Sequence, residues 1–98
     1  MIDLIPMNQL DFENYCNVSI KDYAQEHIRS GNWTEDNALQ IARETFDKLL
    51  PKGLNTPGHY FFKIENQDSE QTFGILWFAI EERQAGKLAF LYDIKIYP

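Results

Sequence analysis

The sequence predicts an α+β fold with element order β-α-α-β-β-β: an antiparallel four-stranded sheet with two helices packed on it. Three observations lead there. A helical hydrophobic period runs from Phe12 to Leu49 and is broken once, at Ser30-Gly31-Asn32. Three apolar or alternating runs then follow between Tyr60 and Tyr97, with polar turns between them. Turns that short join antiparallel neighbours, because parallel pairing requires a crossover of about a dozen residues or more. Helices with an apolar stripe must bury it, and a sheet face is the available surface. The 98 residues are read as one domain.

The first element is a short strand around Ile2 and Leu4, ended by Pro6. The first helix follows, with Phe12, Cys16, Ser19, Ile20, Tyr23 and His27 on one face. Gly31 is free to take the left-handed conformation that closes a helix. In the second helix Thr34 is the expected cap, and Glu35 and Asp36 stand in the first turn, where the helix dipole favours negative charge. Ala38, Ile41, Ala42, Thr45, Phe46 and Leu49 form its stripe, and Pro51 stops it. Leu54 to Gly58 is a turn-rich connector. In the next strand Tyr60, Phe62 and Ile64 alternate with Phe61, Lys63 and Glu65. After a polar turn at 66–70, Thr72 to Ile80 is apolar on both faces, as a central strand covered from both sides would be. A second turn over 82–87 leads into a last strand, Leu88 to Tyr97. The outer edge of that strand is an open template for pairing.

The formal charge of −6, with nine scattered basic residues, counts against a polyanionic partner, so no nucleic acid is expected. No stretch is apolar for long enough to span a membrane, and no basic start leads into a long apolar run. With one cysteine, Cys16, the expected setting is a reducing one, cytoplasmic, and the expected thiol buried and inert. Two separated histidines and one cysteine offer no metal-ligand spacing. Gly53 and Gly58 are isolated and form no phosphate loop.

Three stretches are more specific: Leu50-Pro51-Lys52-Gly53-Leu54-Asn55-Thr56-Pro57-Gly58-His59, then Phe73-Gly74-Ile75-Leu76-Trp77, then Phe90-Leu91-Tyr92-Asp93-Ile94-Lys95-Ile96-Tyr97-Pro98. Their order is similar to that in a bacterial subgroup of the GNAT-type N-acetyltransferases. The chain resembles the N-terminal half of that acyl-CoA N-acyltransferase fold over essentially its whole length. The resemblance implies a complete protein that moves an acetyl group from acetyl-coenzyme A to an amine-bearing small molecule or peptide. It implies that the backbone at Ile94 and Ile96 faces the pantetheine arm and thioester. It also implies an N–H near Ile94 that stabilises the oxyanion, and Asp93 as a base, directly or through water. Trp33, Glu35 and Tyr92 would border the acceptor amine. The Arg- and Gly-rich loop and helix start that would hold the pyrophosphate come after position 98 in this resemblance. The 98-residue chain alone is therefore expected to bind no cofactor and to be inactive.

Structural readings stand beside these. Ile94 and Ile96 are strand core by spacing, Asp93 is a strand carboxylate that is either solvated or salt-bridged, with Lys95 on the same face, Trp77 is core, and Trp33 is a hydrophobic staple before the cap. A different class of function is also open: a non-catalytic module that associates with itself or another protein through the strand at 88–97, as a homodimer in the first case.

Overall fold

The computed structural model describes residues 2–69 and 71–97. In chain order they form β1 (Ile2–Pro6), α1 (Gln9–Arg29), α2 (Ala38–Leu49), a 3-10 turn (Gly53–Asn55), β2 (His59–Asn66), β3 (Gln71–Arg83) and β4 (Gly86–Ile96). These are the two helices and the four antiparallel strands that the sequence predicts, in the order β1-β2-β3-β4 across the sheet. The chain divides into a helical unit, Gln9–Gly53, and a sheet unit made by the residues on either side of it.

In the helical unit, α1 buries Phe12, Tyr15, Ser19, Ile20 and Ala24. The buried stripe is rotated from the expected one: Cys16 and His27 are half-buried and Tyr23 is exposed. The cause is local. Ile20 and Ala24 pack against Ala38 and Ala42, and four such positions, two helices' worth of small side chains among them, let α1 and α2 approach closely. Gly31 closes α1 at φ 82°; its N–H reaches the Ile28 carbonyl while the Asn32 N–H reaches that of His27. This is the double bond pattern of a glycine-terminated helix.

The start of α2 corrects the sequence reading. Thr34 does not cap it, and Glu35 and Asp36 are not in its first turn; they form the turn that precedes Ala38. The Thr34 hydroxyl donates to Asn37 Oδ1 (3.0 Å), so it is not used on a helix amide. Its carbonyl instead accepts the Ala38 N–H at 3.0 Å. The predicted stripe is otherwise the inward one: Ala38 and Ala42 are buried, and Ile41, Thr45, Phe46 and Leu49 are half-buried.

In the sheet unit, Phe61 of β2 opposes Trp77 of β3, which opposes Asp93 of β4. The face that includes Phe61, Ile75, Trp77 and Ala79 is buried. On the other face Ile64 and Gly74 are buried while Leu76 and Phe78 are half-buried, so the central strand is covered unequally rather than from both sides alike. The turn expected over 82–87 is much tighter. Arg83 pairs with Gly86, leaving only Gln84 and Ala85 to reverse the chain, and Gly86 takes φ 127°. Glu82 and Lys87, assigned to the turn by their polarity, pair across the two strands instead. The last strand therefore runs from Gly86 rather than from Leu88.

Candidate active site on the sheet

The fourth strand carries most of the expected site residues, and its hydrogen bonding decides what they present. The Tyr97 N–H donates to the Phe73 carbonyl at 2.7 Å. Backbone groups alternate in direction along an antiparallel strand, so Lys95 also points its N–H and C=O toward β3. Ile94 and Ile96, opposite Leu76 and Gly74, point theirs to the outer edge. The two residues are 54% and 63% exposed. Only a glycine fits opposite Ile96: a Cβ at Gly74 would collide with the Lys95 carbonyl oxygen.

Between Trp77 and Phe78 the pairing slips by one residue, because Trp77 opposes Asp93 whereas Phe78 opposes Leu91. Tyr92 is the extra residue. Such a bulge bends the strand, sharpens its twist and re-aims neighbouring side chains. Here it sets Tyr92 over the buried face, its ring stacked on that of Trp77 at 4.6 Å between centroids. Asp93 lies beside it, 3.9 Å from Lys95 Nζ, the pairing expected for a strand carboxylate.

Sequence reasoning missed His59. It begins β2, and the Trp77 indole N–H donates to its Nδ1 at 3.1 Å. An indole nitrogen can only donate, so Nδ1 is the acceptor and the ring proton sits on Nε2. The His59 ring is 5.4 Å from that of Tyr92. Burial lowers its pKa from the usual 6.5, opposed in part by the negative charge of Glu81. His59 and Trp77 are 18 positions apart, so no local spacing links them; the register that sets His59 opposite Ala79 does.

Trp33 and Glu35 belong to the helical unit. Trp33 is half-buried, stacked on His27 at 3.9 Å with the Tyr23 ring edge-on at 5.5 Å. His27 Nδ1 lies 3.1 Å from the Asn32 amide nitrogen, which ties the stack to the end of α1. Trp33 thus packs back on α1 and against the cluster that α1 shares with Ala38 and Ala42 of α2. Glu35 is exposed in the turn before that helix. Burial pushes the Cys16 thiol up to about 11, so at neutral pH it is an unreactive thiol, as expected. Among the described residues no group of His, Cys, Asp and Glu side chains could hold a metal ion, and no helix is long and apolar enough to cross a membrane. An open depression lined by Ile2, Asn66, Ser69, Gln71 and Phe73 lies by the turn between β2 and β3 and contains none of the expected site residues.

The chain is 32% identical over 96 residues to the uncharacterized N-acetyltransferase YycN of Bacillus subtilis, matching 98% of the chain and 61% of the relative. It is 31% identical over 91 residues to the uncharacterized N-acetyltransferase YdgE of the same organism, matching 93% of the chain and 57% of the relative. The crystal structure of YycN superposes with a TM-score of 0.87 over 99% of the chain and 61% of its own. The chain thus spans about three fifths of the length of these relatives. No family model matches it.

Proposed function

We propose that the chain is part of a GNAT-type N-acetyltransferase domain and supplies the acetyl-donor edge of an acyl-transfer site. One observation carries this reading. Ile94 and Ile96 turn consecutive N–H and C=O pairs outward beside the bulge at Tyr92, on a strand edge with no neighbour among the described residues. The pantetheine arm of acetyl-coenzyme A is a chain of amides and lies along such an edge as a strand would. The whole protein transfers the acetyl group to an amine. The amine nitrogen attacks the thioester carbonyl, the C–N bond forms, the C–S bond breaks, and coenzyme A leaves as a thiol. The Ile94 N–H donates to the carbonyl oxygen as it gains charge, and a fixed donor of that kind is worth about 10²–10³ in rate. Asp93 takes the amine's proton, directly or through water. Tyr92 lines the same face, stacked on Trp77.

The pyrophosphate needs a separate anion site, such as a helix N-terminus preceded by a Gly-rich turn. The 98-residue chain by itself is therefore proposed to be inactive. The test is transfer from acetyl-coenzyme A to a panel of amines by two proteins: this chain alone, and this chain joined to the unmatched about two fifths of YycN. Activity in the joined protein and none in the chain alone is the expected pair of results. A joined, folded protein that neither binds nor uses acetyl-coenzyme A would refute the reading.

A second reading rests on the exposure of β4, where Leu91 is 63% and Leu88 46% exposed. Two copies paired edge to edge along residues 88–97 form a two-fold dimer. Light scattering is expected to give a mass above the monomer that Leu91→Lys returns toward it; a monomer at every concentration rejects this reading.

A further inference from the structure

We propose that His59 is a positioning residue, which holds the Tyr92 bulge, and with it the outward Ile94 N–H, through its hydrogen bond with Trp77. The inference rests on the reading of β4 as the donor edge and adds a residue to it.

The chain of contacts is continuous. The connector before β2 is built to place His59. Gly58 takes φ 82°, and its carbonyl accepts the Ile80 N–H at 2.8 Å. A Cβ there would stand 3.0 Å from the Ile80 carbonyl oxygen, so the connector hugs β3 only as glycine. The His59 N–H donates to the Thr56 carbonyl at 3.2 Å, and Thr56 is buried. The imidazole is thus fixed at its backbone and meets the Trp77 indole through Nδ1. Trp77 is clamped between two rings, Phe61 at 5.1 Å and Tyr92 at 4.6 Å, both near parallel to it. Tyr92 is the residue that makes the bulge, and Ile94 follows two positions later. A stacked ring slides at little cost unless something fixes its in-plane rotation. The bond from the indole N–H to His59 supplies a directional constraint.

The constraint depends on His59 being neutral. Protonation places an N–H on Nδ1, donor facing donor, and the indole loses its acceptor. Facing groups that bear on this proton are Glu81 of β3 and, across Trp77, Tyr92 and Asp93 of β4, Asp93 beside Lys95. Burial lowers the folded pKa, so the stability contributed by neutral His59 is full above the ordinary value of 6.5. It is lost as pH falls through the lower folded value.

The experiment uses the 98-residue chain and amide NMR, so it needs no cofactor and its outcome is independent of whether the donor edge binds acetyl-coenzyme A. His59→Leu removes the acceptor; His59→Asn keeps one, since its side-chain oxygen reaches the place of Nδ1. In His59→Leu the Trp77 indole N–H is expected to exchange about tenfold faster, and the Tyr92 and Ile94 amide resonances to move. In His59→Asn all three are expected to stay near their original positions. Between pH 7 and 5 the original protein is expected to shift Tyr92 and Ile94 with a midpoint below 6.5, and His59→Asn to stay flat. Should His59→Leu fail to fold, the pH comparison of the original with His59→Asn stands alone. Resonances of Tyr92 and Ile94 that ignore His59→Leu while the indole responds overturn the proposal, as does an equal pH response in the original and His59→Asn.

Discussion

Trp77→Ala is expected to destabilise the protein by about 3–5 kcal/mol, the range for truncating a buried large aromatic. Trp77 is 4% exposed and sits at the centre of the buried sheet face. The loss has three parts. The first is the apolar area of the indole. The second is a void between Phe61 and Tyr92, whose rings cannot close on each other because both belong to fixed strands. The third is the bond to His59, whose Nδ1 is left without its donor. Single domains of this size are stable by about 5–15 kcal/mol, so the loss removes a large share of the total. Urea denaturation measures it. Trp33→Ala is the control and is expected to cost less, because Trp33 is only half-buried. A loss under ~1 kcal/mol for Trp77→Ala would mean that the strands do not pair in this register.

Gly74→Val is expected to cost about 3 kcal/mol, at the upper end for overpacking, because the neighbouring atoms cannot yield. Backbone strain is not the cause; the obstacle is space. The first atom of any side chain would meet the Lys95 carbonyl oxygen, which belongs to the backbone of β4, and would stand 3.2 Å from Ile96 Cδ1 and 3.3 Å from Ile64 Cδ1. Strand β4 must then move away from β3 between Lys95 and Ile96. A structural signature accompanies the energy. Amide exchange should rise at Tyr97, whose N–H bonds the Phe73 carbonyl next to Gly74, and much less at Phe90, which pairs with Ala79 toward the far end of the strand. A variant as stable as the original, with Tyr97 still protected, would show that β3 and β4 are not this close.

What the sequence makes legible follows physical range. The stripe from Ala38 to Leu49 repeats within one helix, and its inward face is the one observed. Gly31 and Pro51 mark helix ends through local backbone rules, and each helix ends two residues before its mark, at Arg29 and Leu49. The start of α2 was harder to read because Thr34, Glu35 and Asp36 have the composition of a first turn. What decides is whether the Thr34 hydroxyl pairs with a helix amide or with Asn37, and the two alternatives differ by about 1 kcal/mol. The turn at Gln84 and Ala85 was masked by the polarity of Glu82 and Lys87, which are polar because they lie at the exposed end of a hairpin. The site divides in the same way. Asp93, Ile94 and Ile96 are adjacent in sequence, so their alternating directions could be read at once. The bulge that puts Tyr92 on the face of Trp77 is a property of two strands together. His59 joins the site only through pairing across β2 and β3, and no periodicity within either strand contains it.

The most direct test of the donor-edge reading is a titration of the joined protein with acetyl-coenzyme A, followed at the amides of β4. Saturable shifts are expected, largest at Ile94 and Ile96 and smaller at Lys95, with no response in the 98-residue chain alone. Saturable binding with Ile94 and Ile96 unmoved would contradict it.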